Sequence, residues 1–184
     1  MTISKLKKGY KFEDKLNHIL FNPESSEVEQ DTAFILTNDQ SFDYKSHEKF
    51  VVSGAGEYEI KDISVYAYDS GNSGGFDIAK IIIENIGVCY LAETINAIPK
   101  TISEELGNVD LLVLEISSMS LFDNKVEMIQ DMEPKQVLLL DLGNGLAGFE
   151  KEYSSEIEKI KKLKVKDSDF TQSDSQEVKV ITLE

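Results

Sequence analysis

The chain has 184 residues, 41% of them apolar, with 34 acidic side chains against 19 basic ones, giving a formal net charge of −15 and a pI near 4.5. A chain of this length buries about two-thirds of its unfolded surface, so one domain over residues 1–184 is expected to hold its core without disulfides or a structural metal. Every basic residue is a lysine, and an acidic surface lacking the guanidinium fork argues against nucleic acid and anionic membranes as partners.

Short apolar runs broken by Gly, Asn, Asp and Ser clusters predict strands through the first half of the chain. The candidates are Tyr10 to Phe12, Asn17 to Phe21, Ala33 to Thr37, Phe50 to Val52, Ile63 to Tyr68, Ile78 to Glu84 and Val88 to Leu91. The last two form a predicted hairpin joined at Glu84-Asn85-Ile86-Gly87, where Asn and Gly are expected to supply the positive φ of a tight turn. After Leu91 the pattern alternates between helix and strand. Ile102 to Leu106 reads as a short helix, Leu111 to Ile116 as a buried strand and Asp123 to Met132 as a helix stopped by Glu133-Pro134. Val137 to Leu142 is a continuous apolar run suited to a strand covered on both faces. Glu150 to Lys162 is expected to be an amphipathic helix, with Tyr153, Ile157 and Ile160 at helical spacing. Ser168 to Gln176 reads as polar loop and Val178 to Leu183 as a final strand. Strands first and helix–strand alternation later predict a layered α/β domain.

No apolar run approaches the roughly 20 residues that span a bilayer, and the opening MTISKLKKGYKF lacks the uninterrupted apolar stretch of a secretion signal. With Cys89 as the single thiol, a reducing compartment and a cytoplasmic location are expected. Cys89 has apolar neighbours, which predicts a buried, inert thiol. His18 falls in an early strand and reads as a structural histidine; His47 falls in the polar stretch DYKSHEKF and reads as solvated loop. Gly54-Ala55-Gly56, Gly74-Gly75 and Gly143-Asn144-Gly145 read as turns, since none has the strand–GxGxxG–helix context of a phosphate cradle. Abundant Lys and Ile without Arg or Trp suggests an A·T-biased genome.

Four strings carry a resemblance. FVVSGAGEYEIKDISVYAY is similar to V-I-S-G-P-G-E-Y-E-V-K-G-V before a strand, and IAKIIIENIGVCYLAE to a hairpin ending in leucine-glycine-aspartate. ELGNVDLLVLEI is similar to E-L-G-x-V-D-V-L-L-V-P-V, and MIQDMEPKQVLLLDLGN to leucine-glutamate-proline-lysine followed by a strand ending in a metal-binding histidine. In this order they resemble the metallo-β-lactamase-fold hydrolases, in particular the small bacterial branch related to ascorbate-phosphate lactonases. The resemblance implies a four-layer αββα sandwich of two mixed sheets. It also implies a site for one or two zinc ions, which activate a water for hydrolysis and are held by a His-x-His-x-Asp-His loop, further histidines and a bridging aspartate.

The histidines of that signature are missing. FILTNDQSFDYK occupies the place of the loop, setting Asn38 at the first ligand and Gln40 at the second, with Asp39 between them and Asp43 keeping the family's aspartate. Glu93 stands at the bridging-aspartate position, and Asp141 is the nearest candidate at the final histidine. Amide and carboxylate oxygens are hard donors that suit magnesium, manganese or calcium better than zinc. The expectation is therefore a degenerate, non-catalytic member acting as a binding or scaffold module for a protein or small-molecule ligand, with no cofactor. The alternative is a hydrolase acting on an ester or phosphoester with Mg²⁺ or Mn²⁺ at an oxygen-only site of Asp39, Asp43, Glu93 and Asp141. A third possibility is self-assembly through apolar residues of the Asp123–Met132 helix, namely Val126, Met128, Ile129 and Met132. The sequence leaves substrate, partner and oligomeric state open.

Overall fold

A computed structural model describes residues 1–71, 75–117, 122–141, 143, 145–152, 157–171 and 178–184. The strands are β1 (Thr2–Lys5), β2 (Tyr10–Glu13), β3 (His18–Phe21), β4 (Thr32–Leu36), β5 (Phe50–Val52), β6 (Gly56–Ile60), β7 (Ile63–Tyr68), β8 (Ile78–Ile83), β9 (Ile86–Leu91), β10 (Leu111–Ile116), β11 (Gln136–Asp141), β12 (Glu158–Ile160), β13 (Lys162–Lys164) and β14 (Lys179–Leu183). The helices are α1 (Lys100–Leu106), α2 (Phe122–Met132), α3 (Leu146–Glu152) and α4 (Ser168–Thr171).

The strands form two mixed sheets. One has the order β13-β1-β2-β3-β4-β5, the other β12-β14-β11-β10-β9-β8-β7-β6. In the second sheet β6 to β9 form an antiparallel meander, whereas β9, β10, β11 and β14 pair in parallel. Parallel neighbours need long crossovers, and α1 and α2 lie in those between β9 and β10 and between β10 and β11. Because side chains alternate along a strand, the continuous apolar runs serve both faces of this sheet. Leu111, Val113, Leu138, Leu140 and Ile181 face the other sheet, whereas Leu112, Leu114, Val137, Leu139 and Val180 pack with helix residues such as Met128, Ile129 and Phe149. The outer face of the first sheet carries a smaller cluster of Leu20, Ile35 and Phe42. Val126 and Met132 also join the helix–sheet core, so core packing accounts for the apolar surplus of α2. No helix among the described residues is long and apolar enough to cross a membrane.

The expected elements need three corrections. The helix expected over Glu150–Lys162 ends at Glu152, and the chain continues as β12 and β13; Tyr153 lies outside the described residues. In KLKVK, lysines alternate with Leu163 and Val165, a two-residue period that buries both between the sheets, and Ile160 packs against the same core from β12. β12 pairs with β14 and β13 with β1, so this one segment edges both sheets. Second, the polar stretch after Lys166 starts with α4, which places Phe170 in the core; residues 172–176 lie outside the described residues. Third, the hairpin turn uses Glu84 (φ 51°) and Asn85 (φ 64°), not Gly87. Gly87 serves close approach instead: a Cβ there would stand 3.3 Å from the Asn108 carbonyl oxygen, while the Gly87 amide donates to Asp110 Oδ2 and the Asp110 amide donates to the Gly87 carbonyl, each at 2.9 Å. The short strands β1 and β6 escape sequence reading because neither holds a run of apolar residues.

The strand assignment of the β12–β13 segment is testable by urea unfolding. Leu163→Ala should destabilise the protein by about 2–5 kcal/mol, and Lys161→Ala, at the exposed turn, by less than about 0.5 kcal/mol.

Candidate functional site

Because β9, β10 and β11 are parallel and in register, their C-terminal ends line up along one edge of the second sheet. Glu93, Ser117 and Asp141 follow or end these strands. On the first sheet β4 ends at Leu36, and Thr37 and Asn38 come next. The two edges are joined by side chains at the level of Tyr90, which points between the sheets and is 2% exposed. Its ring packs against Phe21 at 4.4 Å and Phe76 at 6.3 Å between centroids.

The link begins at Asn22, just past β3, with a left-handed backbone (φ 46°) that asparagine tolerates better than most residues. Asn22 Oδ1 accepts hydrogen bonds from Thr37 Oγ1 and the Asn38 amide, each at 3.0 Å. Asn22 Nδ2 donates to Asn38 Oδ1 at 2.7 Å, and Asn38 Nδ2 donates to Tyr90 Oη at 2.8 Å. The Tyr90 hydroxyl and the Glu115 carboxylate interact in turn. Glu115 is the fifth residue of β10, on the inward face it shares with Leu111 and Val113. The Glu93 amide donates to Glu115 Oε2 at 3.3 Å. Glu93 Oε1 accepts from both the Ser117 amide, at 3.0 Å, and the Ser117 hydroxyl.

A buried lysine completes the group. Lys125, on α2, is 1% exposed and donates from Nζ to the carbonyls of Ala92 and Ile95, each at 2.9 Å. Burial pulls its ammonium down to about 8, against the opposing attraction of Glu115 and Glu93. Burial raises the Glu115 carboxyl and nearby Glu93 adds to it, while the Tyr90 hydroxyl, the Glu93 amide and Lys125 act the other way. Tyr90 is pushed well up, first by burial and then by Glu115. Beside this group Asp77 is also fully buried and takes hydrogen bonds from the Ser70 amide and hydroxyl.

Of the positions singled out in the sequence, Asn38 and Glu93 enter this one network, at opposite ends of the Tyr90–Glu115 pair. Asp39 turns away to Lys8 and Ser41, whose hydrogen bonds lower its carboxyl to about 2. Gln40 and Asp43 are exposed on the loop that follows. Asp141 ends β11 opposite Ile116, and its side chain lies outside the described residues, as does Asn144 of the Gly143–Gly145 turn. Gly74 of the Gly74-Gly75 pair lies outside them too. Cys89 is fully buried, its thiol pushed up to about 12 by burial, as expected for an inert core thiol. His47 is half-buried and stacks on Phe42, with centroids 5.5 Å apart; it is less solvated than its polar surroundings suggested. Sequence reading missed Asn22, Tyr90, Glu115 and Lys125. Glu115 had a signal: a lone acid inside LLVLEI, in register with inward-facing residues.

These residues do not fit a zinc site. The Asn38 side chain uses its oxygen on Asn22 and its nitrogen on Tyr90, and one oxygen of Glu93 already accepts two hydrogen bonds from Ser117. The described members of the group offer no imidazole or thiolate, the donors that zinc favours.

Solved structures share the architecture. A metallo-β-lactamase-superfamily protein from Thermotoga maritima superposes with a TM-score of 0.75 at 16% identity, covering 99% of this chain and 97% of that one. The metallo-β-lactamase-fold protein YhfI from Bacillus subtilis gives 0.55 at 12% identity over 78% of this chain and 83% of its own. The metallo hydrolase Igni18 from the archaeon Ignicoccus hospitalis gives 0.54 at 11% identity, over 75% and 81%. No protein-family profile and no curated protein matches by sequence. The chain has the metallo-β-lactamase fold.

Two measurements probe the network. Tyr90→Phe strands the Asn38 amide and Glu115 and should cost about 1–3 kcal/mol in urea unfolding. Lys125 binds its proton more weakly folded than unfolded, so unfolding takes up protons between pH 8 and 10.5 and stability rises with pH there. The unfolding free energy of wild type minus that of Lys125→Met should rise by up to about 3 kcal/mol over this range. Glu115 behaves in the opposite sense: its raised carboxyl contributes most below its unfolded value of 4.5 and less as pH climbs.

Proposed function

We propose that this chain is a non-hydrolytic metallo-β-lactamase-fold protein, a binding or scaffold module in which a hydrogen-bonded network takes the place of the metal centre. The observation that carries this reading is the Asn38–Tyr90 hydrogen bond of 2.8 Å. It engages the residue at the first ligand position with a buried phenol, while the amide oxygen of the same side chain accepts from Asn22. Water activation needs a cation with a free position or a poised base, whereas Glu93, the residue at the bridging position, is held by Ser117. What remains for a partner, protein or small molecule, is the outer surface, which at a net charge of −15 favours cationic groups.

Hydrolysis assays with a carboxylic ester, a phosphomonoester and a phosphodiester, each in the presence of Zn²⁺, Mn²⁺ or Mg²⁺, test the proposal. The expected result is turnover indistinguishable from buffer for wild type and Glu93→Gln alike. Turnover that wild type supports and Glu93→Gln abolishes would overturn it in favour of a divergent oxygen-ligand hydrolase.

A further inference from the structure

Charge is not spread evenly over the sandwich. Ten of the nineteen lysines lie in residues 5–15 and 159–166, where Glu13 and Asp14 are the only acids. Pairing of β1 with β13 brings these two segments to one side of the first sheet. There β13 is the outermost strand, and Lys162 and Lys164 are exposed on either side of buried Leu163. On the opposite side β5 and β6 end the two sheets. The pattern on β6 is the reverse: Glu57 and Glu59 are exposed and alternate with Tyr58 and Ile60, which pack on the core. Phe50, on β5 beside this edge, is 53% exposed and sets its ring edge-on to Tyr58 at 6.2 Å.

Both edges also present backbone groups. The Met1 amine donates to the Val165 carbonyl at 3.0 Å, and the Val165 amide donates back to the Met1 carbonyl at 3.1 Å. Bonded and non-bonded pairs alternate along an antiparallel ladder. Leu163 therefore bonds to Ile3, and the N–H and C=O groups of Lys162 and Lys164 point away from β1. On β6 the two-residue turn Lys61-Asp62, with φ of 51° and 65°, closes on the hydrogen-bonded pair Ile60–Ile63. By the same alternation Glu57 and Glu59 direct their backbone groups away from β7. No described strand lies beyond either edge, and among the described residues none of these four side chains has an ion-pair partner. An open edge of this kind is a template for another strand.

The two edges complement each other. Antiparallel pairing of β6 from one copy with β13 from another sets Glu57 against Lys164, Glu59 against Lys162 and Tyr58 against Leu163. The outward backbone groups of the four charged residues then bond across the contact, both acids meet lysines on the outer face, and the apolar side chains extend the inner one. Opposite charges at facing positions stabilise a sheet and like charges destabilise it, so pairing of β6 with β6 or of β13 with β13 is disfavoured. We propose that this chain associates with further copies of itself head to tail, β6 edge to β13 edge. Each contact leaves one edge of each kind free at the ends, so assembly continues beyond two copies. The edges share no residue with the Asn38–Glu93 network, and failure of this proposal leaves the proposed function untouched.

Sedimentation velocity of the full chain, from micromolar to millimolar concentration, tests it. The weight-average mass should climb past that of two copies and fall when salt is raised, because exposed charge pairs are screened. Reversing one edge, by Glu57→Lys with Glu59→Lys or by Lys162→Glu with Lys164→Glu, should weaken association at least about 10-fold. Mixing the two reversed proteins should restore it, since each then offers the edge that the other lacks. Both remain net acidic, so general charge attraction does not account for such a rescue. If a reversed protein fails to fold, amide NMR of the wild type decides: concentration-dependent shifts should centre on residues 57–59 and 162–164. A wild-type monomer throughout, association that survives reversal of either edge, a mixture that stays monomeric, or shifts centred elsewhere, such as on α2, would overturn the proposal.

Discussion

The Tyr90 phenol holds the two sheets together at the edge where their strand ends meet. A buried hydroxyl and a buried carboxylate each lose hydration, and the loss is tolerable only when hydrogen bonds replace it. Asn38 donates to the phenol, the phenol interacts with Glu115, and the Glu93 amide donates to Glu115. Each member satisfies the next, so removing one leaves its neighbours buried and unpaired. Asn22 belongs to the same coupling: with its backbone in the left-handed region, its side-chain oxygen accepts from Thr37 and Asn38 together.

Lys125 and Glu93 show how charge is managed at the same edge. An ammonium taken out of water at α2 is held by two carbonyls just past the end of β9 and lies within the field of Glu93 and Glu115. Buried charges are retained when paired and hydrogen-bonded, and here two carbonyls and the field of two carboxylates act on the ammonium. A fold whose strand ends gather polar side chains at one rim can thus keep that rim buried through internal bonding, with the outer surface free to diverge.

Much of the architecture was legible along the chain. LLVLEI and QVLLLD are apolar at consecutive positions because β10 and β11 are covered by helices on one side and by the first sheet on the other. Asn38 and Glu93 drew attention through their places after β4 and β9, and the structure brings both into the network around Tyr90. The Glu150–Lys162 stretch was misread because Ile157 and Ile160 fit a helical spacing while Ile160, Leu163 and Val165 fit strands, and pairing with β14 and β1 selects the second pattern. The partners of Asn38 were not legible, since Asn22, Tyr90 and Glu115 lie far from it in sequence and carry no common motif.

By itself, the amino-acid sequence determined most of the strand and helix periods and the two-sided burial of the parallel strands, because these depend on local composition and spacing. Tertiary structure alone decided that Asn38 meets a phenol, that Lys125 is buried beneath Glu93 and Glu115, and that His18 sits between the Asp31 and Glu13 carboxylates at the opposite end of the sheet. Such meetings depend on strand order and register across the sandwich, which no local pattern encodes.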